Sequence, residues 1–368
     1  MHRILLLGAG KIGSAIAKLL VHSGDFDVFV GDIEQRALDR LAAGLTVKTL
    51  RLDIGDSAAL RSAMAGVQTV ISACTFEANV RIAEAALASG VSYFDLTEDV
   101  ATTKAIQNFA LSARTGQIFM PQCGLAPGFI CIAAHELTRG FDKLDEVRMR
   151  VGALPQFPSN AMKYNLTWST DGLINEYCNL CEAIHEGCKI DILPLEGLEH
   201  FSLDGMDYEA FNTSGGLGTL CDTLAGKVRT LNYKTVRYEG HRELMAFLVN
   251  SLRLSERRNI LKDILENAVP ITLQDVVLIF CTVTGYRNGY LTQVTDARKI
   301  YHKQMFGEHW SAIQVTTAAG MCAVVDLHAS GKLPDRGFVR QEQVGLDAFL
   351  ANRFGQYYEQ SGAKGQSM

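Results

Sequence analysis

The sequence predicts an α/β protein in which a doubly wound parallel sheet occupies the N-terminal third and an inserted α+β domain follows. Three observations support this prediction. Short apolar runs alternate with stretches of helical periodicity from residue 2 to about residue 121. A glycine-rich turn separates the first run from the first helix. After a helix predicted over 129–138 the alternation stops, and polar–apolar patterns typical of antiparallel strands begin.

Length and composition limit the kind of protein that this chain can form. A chain of 368 residues is long enough for two domains. We predict a first domain over 1–122, an inserted domain over 123–311, and a helical segment over 312–368 that returns to the first domain. The net charge of −5 argues against nucleic-acid binding, and 48% hydrophobic residues exclude extensive disorder.

The N-terminus and the cysteines favour a cytoplasmic location. Residues 1–7 contain only a short apolar run, which is unlike a signal peptide, and no stretch has the roughly 18 uninterrupted apolar residues of a membrane span. The nine cysteines are scattered and odd in number, which is typical of reduced thiols. We therefore expect a cytoplasmic protein without a membrane partner.

The first turn of the chain is rich in glycine. The apolar run Ile4–Leu7 is followed by Gly8-Ala-Gly10-Lys-Ile-Gly13 and then by helical periodicity. In a dinucleotide-binding turn, the first glycine permits the turn, the second lets the backbone approach the pyrophosphate, and the third allows close packing of helix on strand. The backbone of Lys11 and Ile12 at the helix start would face the phosphates. The alternative is a glycine turn that binds nothing.

The charge at the end of the second apolar run favours NAD over NADP. Asp32 follows Gly13 by nineteen residues, where an acid accepts hydrogen bonds from the adenosine ribose. Its charge would repel a 2′-phosphate, and the next residue is Ile33 rather than an arginine. Arg36 could compensate only in part. We therefore predict NAD as the cofactor.

Six apolar runs in the first third predict six parallel strands joined by helices, which is a Rossmann fold. Ligands of such sheets lie beyond the carboxyl ends of the strands. This rule places Cys74 and Thr75, the segment Asp95–Asp99, and Cys123 near the cofactor. Asp53 would lie near the adenine, with a helix N-terminal acid or a solvated loop residue as its alternative.

The sequence predicts a mixed sheet with helices between residues 123 and 311. Strands are predicted over 145–151, 228–238 and 275–284, and helices over 171–186, 216–225, 241–253 and 256–267. A last helix over 312–330 and the tail over 345–360 are predicted to return to the first domain.

Three cysteines and a histidine fall at helical spacing within the helix predicted over 171–186 and just beyond it. They are Cys178, Cys181, His185 and Cys188. Four ligands spread along one helix cannot surround a single ion, whereas cysteine is common on buried helix faces. We therefore predict no metal site.

Four segments of the chain carry a family resemblance. They are Cys123-Gly-Leu-Ala-Pro-Gly128, Ser214-Gly-Gly-Leu-Gly218, Tyr233-Lys-Thr-Val-Arg-Tyr-Glu-Gly-His241 and Thr317-Ala-Ala-Gly320. Together they resemble the saccharopine reductase and lysine 6-dehydrogenase family over nearly the whole chain. Ala126 and His241 are more similar to lysine 6-dehydrogenases, because saccharopine reductases tend toward CGLDPG.

The resemblance implies an NAD-linked oxidation of a C–N bond in a small amino-acid substrate. A lysine 6-dehydrogenase oxidises the ε-carbon of L-lysine, and water converts the imine to allysine with release of ammonia; allysine then cyclises to piperideine carboxylate. The alternatives are a saccharopine- or carboxynorspermidine-type reductase and a non-catalytic NAD(P)-binding redox sensor. The resemblance also implies a homodimer paired through the sheet of the inserted domain, for which the apolar strand 275–284 is suited.

For such a substrate, Arg237 is predicted to bind the carboxylate. A guanidinium fork matches two carboxylate oxygens, and the alternative is a solvent-facing arginine. The other predicted contacts, each with a turn or core role as its alternative, are Gly215, Gly216, Tyr164, Tyr238 and Cys123. A nucleophilic role is not expected for Cys123.

Hydride leaves only from a neutral amine, so some group must accept the ammonium proton. Asp95 is the first choice, with a helix cap as its alternative. His241 has a suitable ordinary pKa near 6.5, although it could instead cap the helix that follows. Lys234 would serve if burial lowered its pKa.

Overall fold

The computed structural model describes residues 1–359 and contains two compact units. Unit 1 consists of Met1–Phe129 and Thr316–Tyr357, and unit 2 consists of Ile130–Val315 with Tyr358 and Glu359. Both main boundaries lie within helices, whereas we predicted boundaries after residues 122 and 311. Residues 360–368 of the predicted C-terminal segment lie outside the described residues.

Unit 1 contains a seven-stranded sheet in which every pairing is parallel. Its strands are β1 (His2–Leu7), β2 (Phe26–Asp32), β3 (Lys48–Arg51), β4 (Thr69–Ser72), β5 (Ser92–Asp95), β6 (Ile118–Met120) and β17 (Gly337–Phe338). Their order is β17-β6-β5-β4-β1-β2-β3, so the direction of winding reverses between β1 and β4. This is the point at which doubly wound sheets bind nucleotides. The six predicted strands are confirmed, and β17 was missed because two residues give no pattern.

Helices connect the strands of unit 1. They are α1 (Lys11–Ser23), α2 (Gln35–Gly44), α3 (Ser57–Ala63), α4 (Phe76–Ser89) and α5 (Val100–Ala110). Helix α6 (Phe129–Thr138) lies in unit 2 except for its first residue, α11 (Ala312–Ala329) contains the second boundary, and α12 (Leu346–Leu350) lies in unit 1. Helix α1 ends at Gly24, which adopts a left-handed conformation with φ 80°. The run Ile4–Leu7 is buried, as expected for a strand covered on both faces.

Among the described residues, only helix α11 is long and apolar enough to cross a membrane by length and composition. In this structure 72% of that stretch is buried inside the protein. Its apolar character is therefore that of a core helix.

Unit 2 is built on a mixed sheet. Its strands are β7 (Lys143–Pro155), β8 (Cys181–His185), β9 (Cys188–Ile192), β10 (Glu199–Leu203), β11 (Met206–Asn212), β12 (Val228–Tyr238), β13 (Asp275–Arg287) and β14 (Tyr290–Tyr301). The main order is β10-β11-β12-β7-β13-β14, with the β8–β9 hairpin attached to β12. Only β12 and β7 pair in parallel among these described strands. A separate hairpin consists of β15 (Lys303–Met305) and β16 (Glu308–Trp310).

The helices of unit 2 are α7 (Thr170–Cys178), α8 (Leu220–Leu224), α9 (His241–Ala246) and α10 (Arg258–Ala268), and a π-helical turn, Phe247–Ser251, extends α9. The helix predicted over 171–186 is wrong beyond Cys178. The chain becomes extended at Asn179, and Glu186 and Gly187 then form a hairpin turn with φ values of 49° and 79°.

The cysteine-rich stretch is divided between a helix and a hairpin. Cys178 ends a helix, Cys181 and His185 lie on β8, and Cys188 begins β9, so the predicted helical face does not exist. Within residues 1–359, no group of three or more histidine, cysteine or acidic side chains is arranged to hold a metal ion.

Candidate active site

The three motif glycines of unit 1 differ in what surrounds them. A Cβ added at Gly8, where φ is 103°, would lie 2.8 Å from the carbonyl oxygen of Ala73, and one at Gly13 would lie 1.9 Å from that of Gly8. Backbone packing therefore requires both glycines. A Cβ added at Gly10 would meet no atom within 4 Å. The fold does not require Gly10, whereas a pyrophosphate lying against the backbone would.

Asp32 links the end of β2 to this turn. Its Oδ2 accepts a hydrogen bond from the backbone N–H of Ala9 at 2.6 Å, and its Oδ1 accepts one from that of Glu34 at 2.8 Å. The carboxylate therefore fixes the turn while remaining at the carboxyl edge of the sheet. Both features fit the ribose-binding acid of a dinucleotide site.

The start of α1 offers donors for phosphates. The first intrahelical hydrogen bond runs from the N–H of Ser14 to the carbonyl of Gly10. The N–H groups of Lys11, Ile12 and Gly13 thus precede the helical ladder and point toward the N-terminal side of the helix. Such groups bind anions well, so these residues fit a pyrophosphate.

The remaining predicted nucleotide contacts lie at strand ends of unit 1. Asp53 is exposed, and its Oδ1 accepts from the N–H of Gly55 at 2.7 Å, whereas Asp56 caps the following helix. Burial raises the pKa of the Cys74 thiol to about 11. Thr75 immediately precedes α4 and makes no side-chain cap bond. Contact of Asp53, Cys74 and Thr75 with a nucleotide stays a prediction.

Asp95 is enclosed by its own unit. Its carboxylate is fully buried and accepts from the Tyr93 hydroxyl at 2.7 Å and from the N–H groups of Thr97 and Gln122 at 2.9 and 3.0 Å. Burial raises the pKa of Asp95 to about 6, although these hydrogen bonds oppose the shift. The structure favours a positioning role for Asp95 over the predicted proton transfer, because its oxygens already hold the ends of β5 and β6.

We expect Asp95→Asn to change how stability depends on pH. Burial disfavours the ionised carboxylate in the folded protein, so the unfolded chain loses this proton first, near its ordinary value of 3.8. The contribution of Asp95 to stability is thus greatest below about pH 4 and falls as the pH rises to about 6. One pKa unit corresponds to about 1.4 kcal/mol, so removing the carboxylate should eliminate a decline of about 2–3 kcal/mol.

Urea titrations of both proteins between pH 4 and pH 7 measure this difference. Other buried acids contribute equally to both curves and cancel in the comparison. Parallel curves would show that Asp95 is not held in this environment.

Cys123 is also buried within unit 1. Its thiol donates to the carbonyl of Met120 at 3.0 Å, and the amide of Gln341 donates to its sulfur at 3.3 Å. Burial raises the pKa of Cys123 well above its ordinary value. The thiol therefore stays protonated, which disfavours a nucleophilic role; its predicted contact with substrate stays a prediction.

Sequence reasoning assigned no role to Glu98, which follows Asp95 on the same edge. It is half-buried, and burial, together with the charges of Asp99 and Asp95, raises its pKa to about 7. A carboxyl group with this pKa exchanges protons near neutral pH more readily than an ordinary glutamate. The sequence did not indicate this raised pKa, because the shift comes from the burial of Glu98 in the folded protein.

In unit 2, the candidate site is centred on Arg237. Arg237 is only 3% exposed and lies near the C-terminal end of β12. Its Nε donates to the Tyr177 hydroxyl at 3.0 Å and its Nη1 to the carbonyl of Val236 at 2.9 Å. Its guanidinium carbon lies 4.9 Å from the centre of the Tyr164 ring. The solvent-facing alternative is therefore wrong.

Arg237 keeps its charge although it is buried. Burial lowers its pKa, but interactions with Tyr177, Tyr164 and Glu176 raise it further than burial lowers it. Within residues 1–359 it forms no ion pair, so both of its acceptors are neutral oxygens.

His241 belongs to a chain of hydrogen bonds that begins at Arg237. The Tyr177 hydroxyl, which accepts from Arg237, lies 3.1 Å from Nε2 of His241, and Nδ1 of His241 lies 2.9 Å from the carbonyl of Met162. If the histidine proton is on Nδ1, each donor has one acceptor: Arg237 donates to Tyr177, Tyr177 donates to Nε2 of His241, and Nδ1 donates to the Met162 carbonyl. Burial, together with the charge of Arg237, lowers the pKa of His241 to about 3. His241 is therefore a poor proton acceptor near neutral pH, and we assign it a positioning role.

Lys234 and Tyr238 do not belong to this group. Lys234 donates to Oε2 of Glu199 at 2.9 Å, so it is held as an ion pair and is unsuited as a base. Tyr238 donates to the carbonyl of Pro155 at 2.9 Å and stacks on Tyr208, which places it in the core on the opposite face of β12. The predicted roles of Lys234 and Tyr238 are not supported by these contacts.

The two predicted loop glycines have different roles. Gly215 has φ 87°, a conformation that favours glycine. A Cβ on Gly216 would lie 2.3–2.4 Å from atoms of the Tyr233 ring, so packing alone requires that glycine. Both line a small recess with Thr213, Leu217 and Glu182. Contact of either glycine with substrate stays a prediction.

Two family models match nearly the whole chain. The saccharopine dehydrogenase NADP binding domain matches residues 4–118, and the saccharopine dehydrogenase C-terminal domain matches residues 124–356. The chain belongs to the saccharopine dehydrogenase family. The resemblance read from the four sequence segments is thereby confirmed at the level of the family.

Relatives of this saccharopine dehydrogenase family member are known from yeast. A saccharopine dehydrogenase (NADP⁺, L-glutamate-forming) of Saccharomyces cerevisiae is 24% identical over 270 residues, which cover 70% of this chain and 59% of the relative. The structure of apo saccharopine dehydrogenase (L-Glu forming) from Saccharomyces cerevisiae matches with a TM-score of 0.76 and 16% identity, covering 93% of this chain and 94% of that one. This likeness confirms the predicted fold of a Rossmann unit and a second unit with a mixed sheet.

Membership in the saccharopine dehydrogenase family agrees with the geometry of the glycine turn. Residues 4–118 match a nucleotide-binding domain and include Gly8, Gly10, Gly13 and Asp32. The family model does not distinguish NAD from NADP for this chain, and it does not select lysine as the substrate.

Proposed function

We propose that this protein is an NAD-dependent amine dehydrogenase that oxidises the ε-amine of L-lysine to allysine. The ε-carbon loses a hydride, the nitrogen loses a proton, and water then converts the imine to the aldehyde with release of ammonia. The main support is the buried Arg237 guanidinium, whose acceptors in the described chain are both neutral. A buried cation whose hydrogen-bond acceptors are all neutral is costly even with Glu176 nearby, so we infer that a substrate carboxylate binds it directly.

Other cations of unit 2 support a substrate with a single carboxylate. Arg150 and Lys234 share Glu199, and Arg298 pairs with Asp296 at 2.7 Å. These cations form ion pairs within the chain, whereas Arg237 forms none among residues 1–359. Arg150 and Arg237 are the buried arginines of the described chain, and only Arg150 has an ion pair, so one buried site remains for the single carboxylate of lysine, whereas saccharopine has three carboxylates.

The residues of each unit have separate roles in this proposal. Arg237 binds the carboxylate through its guanidinium fork. Tyr177 and His241 hold the guanidinium in place, and neutral His241 adds no second positive charge beside it. Gly10 and Asp32 would hold the dinucleotide, whose nicotinamide supplies the hydride acceptor when it is bound.

The proposal includes a preference for NAD over NADP, because β2 ends in an acidic residue, Asp32. The Asp32 carboxylate would repel a 2′-phosphate, and Ile33 beside it is exposed and uncharged. Arg51 lies near this edge, but its Nε donates to the carbonyl of Ile33 at 3.3 Å.

A second candidate function is oxidation of saccharopine. The yeast relative, which is described as a saccharopine dehydrogenase, favours it. Formation of reduced cofactor, followed by absorbance, separates the candidates when L-lysine, saccharopine, carboxynorspermidine and cadaverine are each supplied with NAD or NADP.

We expect turnover with L-lysine and NAD. The kcat/KM should be about tenfold or more lower with cadaverine, which lacks a carboxylate for Arg237, and with NADP, whose 2′-phosphate Asp32 would repel. Each of these effects is worth at least about 1.4 kcal/mol. Turnover with saccharopine alone would establish the second candidate. Tight NAD binding without turnover of any amine would contradict both and indicate a redox sensor.

A further inference from the structure

Unpartnered polar atoms are concentrated in one short segment of unit 2. Seven buried side-chain N or O atoms have no hydrogen-bond partner among residues 1–359. Three of them belong to four consecutive residues, namely the Tyr164 hydroxyl, Oδ1 of Asn165 and the Thr167 hydroxyl. The exposed fractions of these residues are 1%, 3% and 4%. Buried polar groups are normally hydrogen-bonded, so this concentration requires an explanation.

The segment lies against the buried arginine. The Tyr164 ring covers the guanidinium of Arg237, with 4.9 Å between the guanidinium carbon and the ring centre. Burial raises the pKa of Tyr164, the charge of Arg237 lowers it, that of Glu176 raises it, and Trp168 and Thr167 are close enough to lower it as well. Thr167 nevertheless completes no hydrogen bond with the Tyr164 hydroxyl. Two buried hydroxyls without hydrogen-bond partners therefore accompany a buried cation that forms no ion pair among residues 1–359.

We propose that the Tyr164 and Thr167 hydroxyls complete a carboxylate pocket around Arg237, so that all three groups donate to the α-carboxylate of a bound amino acid. A hydroxyl rotates freely and donates strongly to an anion. The pocket selects amines that carry a carboxylate over simple diamines. The proposal rests on the proposed assignment of the carboxylate to Arg237, but not on which amine is oxidised or whether turnover occurs.

Binding of L-norleucine tests this pocket without chemistry, because norleucine has the α-carboxylate and α-ammonium of lysine but no ε-amine. We expect Tyr164→Phe and Thr167→Val each to raise the Kd for norleucine about tenfold in calorimetry, the effect of losing one hydrogen bond to a charged group. Removing an unpartnered hydroxyl should leave the denaturation midpoint unchanged or raise it. A merely structural role would instead lower the midpoint and leave the Kd unchanged.

Thr282→Val is a matched control. Thr282 is a buried threonine of the same unit, but its hydroxyl lies 3.3 Å from that of Thr295. This variant should keep the parental Kd for norleucine.

The outcomes distinguish the pocket from the proposed function. Parental affinity in both hydroxyl variants, with affinity lost in Arg237→Lys, would overturn the pocket and leave the role of Arg237 intact. No norleucine binding by the parent protein, or parental affinity in all three variants, would overturn both the pocket and the carboxylate assignment. Lysine turnover with unaltered norleucine binding in the hydroxyl variants would overturn only the pocket.

Discussion

Replacing Arg237 with lysine is expected to raise the KM for the amino-acid substrate about 30-fold or more, with little change in NAD affinity. A lysine keeps the charge but cannot form two parallel hydrogen bonds to a carboxylate, and its ammonium would not lie between Tyr164 and the Tyr177 hydroxyl as the planar guanidinium does. Weakening a buried charge contact costs about 2 kcal/mol or more, and each 1.4 kcal/mol is a factor of ten.

Steady-state kinetics and calorimetry with NAD check this expectation. Arg229→Lys is a suitable control because Arg229 lies on the same strand but is half-exposed and pairs with Asp145 and Glu186. Its KM should equal that of the parent. An unchanged KM in Arg237→Lys would remove Arg237 from the substrate site.

Two variants that each add one methyl group to the glycine turn should have opposite effects on NAD affinity and on stability. Gly10→Ala should weaken NAD binding about tenfold or more, because the added Cβ would lie against the pyrophosphate. It should change the free energy of unfolding by less than about 1 kcal/mol, because that Cβ meets no protein atom within 4 Å. Gly13→Ala should destabilise unit 1 by about 2 kcal/mol or more, because its Cβ would lie 1.9 Å from the carbonyl oxygen of Gly8.

Thermal denaturation and NAD titration of both variants separate the two effects. Gly44→Ala provides the control, since a Cβ there also meets nothing within 4 Å and Gly44 lies at the end of α2, away from the turn. Parental NAD affinity in Gly10→Ala would contradict the placement of the pyrophosphate against this turn.

The sequence was most informative where local patterns coincide with tertiary contacts. In unit 1 each strand is a short apolar run that ends where the chain turns, so six strands and the glycine loop could be located from the sequence. The short β17 could not, because two residues pair with β6 only after the chain has returned from unit 2. In unit 2 the predicted helix over 171–186 failed, because helical spacing of apolar residues also suits a short helix followed by a hairpin.

The candidate proton acceptors show a different limit of sequence reasoning. Asp95 and His241 were chosen for their chemical type, but burial raises the pKa of the first to about 6 and lowers that of the second to about 3. Lys234 is held by Glu199, which is 35 residues away in the chain. Residue type gives the ordinary pKa, whereas partners distant in sequence decide which groups remain available.

The amino-acid sequence by itself determined the Rossmann unit, the turn formed by Gly8, Gly10 and Gly13, and the strand that carries Arg237, since these features depend on residues close together in the chain. Only the tertiary structure decided that Arg237 is buried beside Tyr164, Tyr177 and His241 without an acidic ion-pair partner in the described chain. The physical reason is that burial and hydrogen bonding depend on packing between segments distant in sequence. A periodic pattern indicates which residues face inward but not which ones they meet.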